Sequence, residues 1–277
     1  MERRDPARWT WYSQGMIETD YGCEINATRH CNLKCSLCNH GSAFADVYYM
    51  PVEVLREDLA IMKNHLRTKL LLVQGGDPLI HPKVVELLRL CIESGIAKQA
   101  GILTNGKLLK RMGDDLWALL RDGHCELRMS CYPGLDPDIV PWIQRKADEW
   151  GFFVRPQEIN SFKPVFASVP DGSTYHGCGW NRCLTIHSGY FYLCPLSAFW
   201  PEQYMKRAER WKDIDPHVDG IPIPGMTDER LQEFLNRRHP LESCKICSGG
   251  RGPDIPHHQN HSKEEWEKEA GVAEALS

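Results

Sequence analysis

The sequence predicts an α/β fold: an open, partial (β/α)6 barrel of the TIM type with a small cysteine-bearing domain on its C-terminal side. Three observations predict it. Between Tyr21 and Pro164 short apolar runs alternate with amphipathic stretches, the pattern of a parallel sheet with right-handed crossovers. The units are roughly 25 residues long and number about five or six, short of the eight that close a barrel. After Pro164 the rhythm breaks, and cysteine, proline and glycine become frequent.

Glu24–Asn26 is the first predicted barrel strand and runs into a cysteine loop. Pro51–Leu66 reads as a helix, with Pro51 suited to its first position and Val54, Leu55, Leu59, Ile61 and Met62 forming an apolar stripe. Leu70–Gln74 is a buried strand ended by Gly75-Gly76-Asp77-Pro78, and Pro82–Ser94 a helix capped by Gly95. The unit then repeats. Ala100–Leu103 is a strand, Thr104-Asn105-Gly106 a turn, Lys107–Arg121 largely helix, and Glu126–Ser130 a strand. Pro137–Trp150 is a helix capped by Asp136, and Phe152–Arg155 a strand. Beyond Pro164, Thr185–Leu193 reads as a hairpin turning at Ser188-Gly189, and Thr227–Arg238 as a helix capped by Thr227 or Asp228. Ser262–Leu276 is an acidic helix or a frayed tail.

The chain has 277 residues, 42% of them hydrophobic, enough to bury a core. Its net charge of −4 and scattered basic residues exclude the electrostatic footprint of a nucleic-acid binder. No apolar run is long enough to cross a bilayer. Met1–Tyr12 carries Arg3, Arg4, Asp5 and Arg8 with no apolar stretch after them, so no signal peptide is read and a cytoplasmic location is expected. Twelve cysteines in a reducing compartment point to metal rather than disulfides.

Cys31, Cys35 and Cys38 stand in the spacing Cys-x3-Cys-x2-Cys directly after a predicted strand. Three thiolates on one loop suit three irons of a [4Fe–4S] cube and leave the fourth iron for an outside ligand. A structural zinc loop is the alternative and needs a fourth ligand, His30 or His40.

The run Asn26-Ala27-Thr28-Arg29-His30-Cys31-Asn32-Leu33-Lys34-Cys35-Ser36-Leu37-Cys38 resembles the signature loop of the radical S-adenosylmethionine (SAM) superfamily. Further resemblances follow in order: Gln74-Gly75-Gly76-Asp77-Pro78, Leu103-Thr104-Asn105-Gly106, and Ser130 at a strand end. Two departures are Asp77, where the family has Glu, and Leu37, at a position often aromatic. The resemblance covers Ile25–Val154. It implies an open iron that binds SAM, with Gly75, Gly76, Asp77, Asn105 and Ser130 around the cofactor. Asp77 would pair with the methionine ammonium and Ser130 would touch the ribose. Arg155 is a candidate for the SAM carboxylate or a substrate.

Cys178 and Cys194 flank the predicted hairpin, and Cys244-Lys245-Ile246-Cys247 follows. This order resembles the twitch or SPASM-like auxiliary domain that holds a second [4Fe–4S] cluster; a zinc ribbon is the alternative. Cys183 makes five cysteines for four places, so either Cys183 or Cys247 is spare and is a candidate hydrogen-atom donor. The expected organisation is a radical SAM barrel over 1–165, an auxiliary-cluster domain over 166–256 and a tail over 257–277. In that tail His257, His258 and His261 read as solvated; His187 and Cys91 read as structural, as does Cys125.

The resemblance implies two [4Fe–4S] clusters, SAM, and a reductant such as flavodoxin or ferredoxin. The expected reaction is hydrogen abstraction from a carbohydrate or aminoglycoside carbon. Epimerisation with a cysteine donor, as in a neomycin-type epimerase of antibiotic biosynthesis, is the first reading. Its alternatives are a dehydrogenase that oxidises a cyclitol or sugar alcohol through the auxiliary cluster, a peptide-modifying enzyme, and a non-catalytic metal scaffold.

Overall fold

The computed structural model describes residues 10–13, 16–178 and 183–277, so the charged residues Arg3 to Arg8 that argued against a signal peptide lie outside the described residues. Two short strands, β1 (Thr10–Ser13) and β2 (Met16–Thr19), pair antiparallel ahead of the barrel. The barrel runs β3 (Gly22–Thr28), α1 (Val52–Met62), β4 (Leu66–Gly75), α2 (Val84–Ser94), β5 (Ala97–Thr104), α3 (Asp114–Asp122), β6 (Glu126–Cys131), α4 (Ile139–Trp150) and β7 (Phe153–Glu158). Then come β8 (Ser161–Phe162), β9 (Leu184–His187), β10 (Tyr190–Tyr192), α5 (Trp200–Gln203), β11 (Gly220–Pro222), α6 (Asp228–Leu235), β12 (Ile255–Pro256), α7 (Lys263–Ala270) and α8 (Val272–Leu276).

β3 to β7 lie side by side and parallel, as the strand–helix alternation predicts, and the sheet does not close. Its sixth parallel member is not a strand added beyond β7. β9 pairs parallel with the other edge of β3, and β10 and β11 continue antiparallel from it, so one sheet runs from β7 to β11. The β9–β10 hairpin turns at Ser188 and Gly189, both at positive φ, the geometry that keeps a two-residue turn in step with strand twist.

Strand alternation decides which residues face the helices and which face the barrel interior. Cys23, Ile25 and Ala27 of β3, Leu71 and Val73 of β4, Ile102 of β5, Leu127 and Met129 of β6, and Leu184 and Ile186 of β9 belong to the core shared with the helices. The opposite face carries Glu24 and Asn26, Leu72 and Gln74, Leu103, Arg128 and Ser130, and Thr185 and His187. A closed barrel fills this space with apolar layers; here the interior is mostly polar.

Helix ends depart from the expected ones for local reasons. The first helix stops at Met62 instead of Leu66, because Asn64 and His65 turn the chain back onto the carbonyls of Ile61 and Met62. The expected helix over Lys107–Arg121 is broken: a short 3-10 turn spans Leu109–Arg111, and α3 starts only after Gly113, with Asp114 and Asp115 in its first turn. Asp136 does not cap α4 directly; its carboxylate accepts from the Asp138 amide one turn ahead of the helix.

A second core gathers Leu37 and Ala43 beside the cysteine loop with Phe166, Tyr192, Trp200, Tyr204, Cys247, Trp266 and Ala270. Of the two readings of Ser262–Leu276, an acidic helix or a frayed tail, the structure has the helix, in two pieces. Ser262 caps α7 by accepting from the Glu265 amide, Gly271 breaks it from α8, and Trp266 is buried. No helix among the described residues is long and apolar enough to cross a membrane.

Candidate active site and cysteine centres

Cys31, Cys35 and Cys38 line one cavity of about 270 Å³ together with Glu24, His40, Gln74, Gly75, Gly76, Asn105, Ser130, Tyr132 and Phe162. The two glycines are dictated by crowding. A Cβ on Gly75 would stand 2.2 Å from the Thr28 carbonyl oxygen, and one on Gly76 2.0 Å from that of His30, so the end of β4 is pressed onto the backbone leading into the cysteine loop. Gly75 also has φ 142, which side chains rarely adopt. Burial pushes all three thiols up, Cys35 to about 12, so thiolates here need a cationic partner.

Asp77 does not meet this cavity. It is 1% exposed; its Oδ1 accepts from the Leu79 amide at 3.0 Å, and its Oδ2 from Thr104 Oγ1 and the Asn105 amide, both at 2.8 Å. In this structure the carboxylate staples two strand-end loops, and it stands within electrostatic reach of Cys31. Asn105, so placed, extends its Nδ2 to Asn32 Oδ1 at 2.7 Å and towards Cys31 Sγ at 3.6 Å. Ser130 is on the cavity wall as expected. Arg155 is not; its guanidinium pairs with Glu126, which Arg128 also grips at 2.8 Å. A shorter acid at position 77 therefore suits an internal tie, a role the motif alone did not reveal.

The cysteine loop has a further partner that spacing gave no sign of. Gln259 Nε2 donates to Cys35 Sγ at 3.4 Å while its Oε1 accepts from the Lys34 amide at 2.5 Å. Ser36 donates its amide to the His258 carbonyl, Asn260 donates its own to Lys34, and Trp266 Nε1 donates to the Cys35 carbonyl. His257, expected in solvent, is buried and stacks on Tyr132 at 5.0 Å. Residues 257–266 thus form a strap over the loop.

Four C-terminal cysteines, Cys178, Cys194, Cys244 and Cys247, line a single apolar pocket with Tyr175, Leu196 and Trp200. Asp219 positions the last pair: its carboxylate accepts from the amides of Glu242 and Ser243 at 2.6 and 2.9 Å, fixing the turn that carries Cys244. Burial pushes Cys194 well up, and Cys244 and Cys247 to about 12. Cys183 is not on this wall. It stands one residue before β9, where burial, then Glu24, then Cys178 push its thiol up to about 12. Cys23, Cys91 and Cys125 are core residues, while Cys131 is half-buried at a strand end. Among the described residues, no three His, Cys, Asp or Glu side chains converge as a single metal ion requires.

Glu24 lines the cavity of the loop cysteines and is within electrostatic reach of Cys183. Burial pushes its carboxyl up to about 8, against the pull of Gln74 and Arg128. Gln74 comes near enough to lower it, yet its Nε2 makes no bond of hydrogen-bonding geometry. Sequence periodicity places Glu24 in a strand but is silent on which side of the sheet is hollow.

Comparison with known proteins matches this architecture. Residues 25–130 match the family model of the radical SAM superfamily. GTP 3′,8-cyclase of Staphylococcus carnosus is 29% identical over 99 residues, 34% of this chain and 29% of that one. GTP 3′,8-cyclase of Microcystis aeruginosa is 32% identical over 129 residues, 44% and 37% of the two chains. The match thus spans about a third of the length of these curated relatives. The structure described as "Native anSMEcpe with bound AdoMet" superposes with a TM-score of 0.54 over 92% of this chain and 98% of that one at 15% identity. The same protein with bound AdoMet and Kp18Cys peptide gives 0.52 over 93% and 97% at 16%. At such identities the likeness is one of fold. Residues 25–130, which carry the cysteine loop and the glycine turn, are thus similar to the radical SAM superfamily, a family that implies a [4Fe–4S] cluster and SAM.

Proposed function

We propose that the protein is a radical SAM enzyme with an auxiliary [4Fe–4S] cluster held by residues 166–256, acting on a small carbohydrate-like substrate in the barrel interior. One observation carries this reading: the three loop cysteines share a cavity with the glycine turn, Asn105 and Ser130, and that cavity extends to unsatisfied polar groups deeper in the barrel. Cys31, Cys35 and Cys38 would hold the first cluster; Gly75 and Gly76, by lacking Cβ atoms, bring backbone to the cofactor side of the cavity. When bound, the reduced cluster and SAM supply a 5′-deoxyadenosyl radical able to take a hydrogen atom from an unactivated carbon. Cys178, Cys194, Cys244 and Cys247 fit the auxiliary cluster, since four thiols gathered on one apolar pocket are the ligand set such a cluster needs.

Cys183 is then the spare thiol. It lies within electrostatic reach of both Glu24 in the interior and Cys178 of the second group, which favours epimerisation over dehydrogenation. Its S–H bond breaks and a C–H bond forms on the substrate carbon radical, leaving a sulfur radical at Cys183. An electron from a flavodoxin- or ferredoxin-class reductant and a proton from solvent restore the thiol.

The test is anaerobic reconstitution with iron and sulfide counted per chain and SAM cleavage followed after reduction. About eight irons with release of 5′-deoxyadenosine is the expected result. About four irons with cleavage would remove the auxiliary cluster, and bound zinc without cleavage would overturn the reading.

A further inference from the structure

Buried polar atoms in native proteins almost always have partners, and a local concentration of exceptions points to a missing one. Among the described residues twelve buried side-chain polar atoms lack a hydrogen bond. Six of them belong to five residues of the interior face: Glu24 Oε2, Asn26 Oδ1 and Nδ2, Gln74 Nε2, His187 Nδ1, and Glu126 Oε1, the last of which is ion-paired with Arg155. Three of these residues are neighbours by register. Asn26 and Gln74 are paired across β3 and β4, and Glu24 is two residues before Asn26 on the same face. Glu24 and Gln74 line the cavity of the cysteine loop. Asn26 is fully buried and Gln74 is 3% exposed, so bulk water is no ready substitute.

We propose that Glu24, Asn26 and Gln74 form a substrate-recognition subsite, and that its ligand is an aminated polyol. An amine would seat on the Glu24 carboxylate, with neighbouring hydroxyls on the Asn26 and Gln74 amides. This deepens the radical reading above and rests on it for the identity of the ligand as substrate.

The chemistry of the wall selects the class. One carboxylate oxygen without a partner calls for a cation or a donor. An amide with both ends free, beside a second with a free N–H, calls for groups that donate and accept from one atom, as a hydroxyl does. The cavity wall holds no lysine or arginine; the guanidiniums of Arg128 and Arg155 both pair with Glu126, and that of Arg29 lies over the Tyr48 ring. A nucleoside triphosphate would therefore meet a carboxylate where it needs cations. The GTP 3′,8-cyclase relatives match 34–44% of this chain, and the present subsite is unsuited to the GTP in their name.

The experiment is calorimetric titration of the full reconstituted chain, with SAM present and no reductant. The probes are streptamine, scyllo-inositol and GTP. Streptamine carries two amines on the ring of scyllo-inositol, so the pair isolates the amine. Streptamine should bind at least tenfold more tightly than scyllo-inositol, and GTP should show no saturable binding. Glu24→Gln should bring streptamine down to the level of scyllo-inositol, and Gln74→Leu should weaken both, with SAM affinity unchanged in each variant. Absence of streptamine binding to the wild-type chain overturns the proposal, as does GTP binding as tightly as streptamine. So does an unchanged streptamine affinity in variants that still bind SAM. Streptamine binding by a protein that fails to cleave SAM on later reduction would uphold the subsite and remove the radical reading instead.

Discussion

At the scale of single residues, Glu24 makes the ligand-free protein less stable as pH rises. Its carboxyl stands at about 8 in the fold against an ordinary value of 4.5, so the folded state holds a proton that the unfolded chain releases. The favourable contribution is complete below pH 4.5 and is lost as pH climbs towards 8. Glu24→Gln removes this dependence. Its melting temperature should match the wild type near pH 4.5 and exceed it increasingly up to pH 8, in scans without ligand. A margin independent of pH would mean that Glu24 is solvated. Gln259 acts on the other side of the cavity. Hydrogen bonds to a cluster sulfur stabilise its reduced, more negative state. Gln259→Leu should therefore lower the potential of the N-terminal cluster in an EPR-monitored redox titration while the iron count holds. An unchanged potential would show that the contact to Cys35 is incidental.

At the scale of elements, the end of β4 and the cysteine loop behave as one piece. Gly76→Ala places a methyl group against the His30 carbonyl, backbone that has no rotamer to yield. The loop must shift, and reconstitution should then deliver about four irons in place of about eight, with no 5′-deoxyadenosine. Full iron loading in that variant would contradict the crowding argument. Much of this scale is legible in the sequence, because β3 to β6 each carry apolar residues for the helix-facing side between turn residues, and the Cys-x3-Cys-x2-Cys spacing is local. What was not legible is non-local. Nothing in the neighbourhood of Asp77 announces Thr104 and Asn105 as its partners. Gln259 and Trp266 looked like tail because their partners lie more than 220 residues away. The pairing of β9 with β3 is of the same kind: a four-residue strand carries no label for the edge that it will join.

For the molecule as a whole, the spare-cysteine count becomes a matter of position. Cys247 shares the pocket of the other three C-terminal cysteines, and Cys183 lies towards the interior. Cys247→Ala should lower the iron count on reconstitution. Cys183→Ala should keep it and keep 5′-deoxyadenosine formation, yet stop inversion at the substrate carbon, read by deuterium uptake from D2O into product. Retained iron in Cys247→Ala together with lost iron in Cys183→Ala would exchange the two assignments.

The strap over the cysteine loop also orders events in time. Cys35 and Trp266 are 231 residues apart, so during synthesis roughly 10–50 s pass between the appearance of the loop and that of its cover. Until then the three thiols lack this cover, and afterwards Trp266 and Gln259 close over the peptide that bears them. Cofactor loading and chain completion thus become competing clocks. A chain that finishes folding before it receives iron closes its strap over an empty loop, and reopening it requires local unfolding of the last two helices.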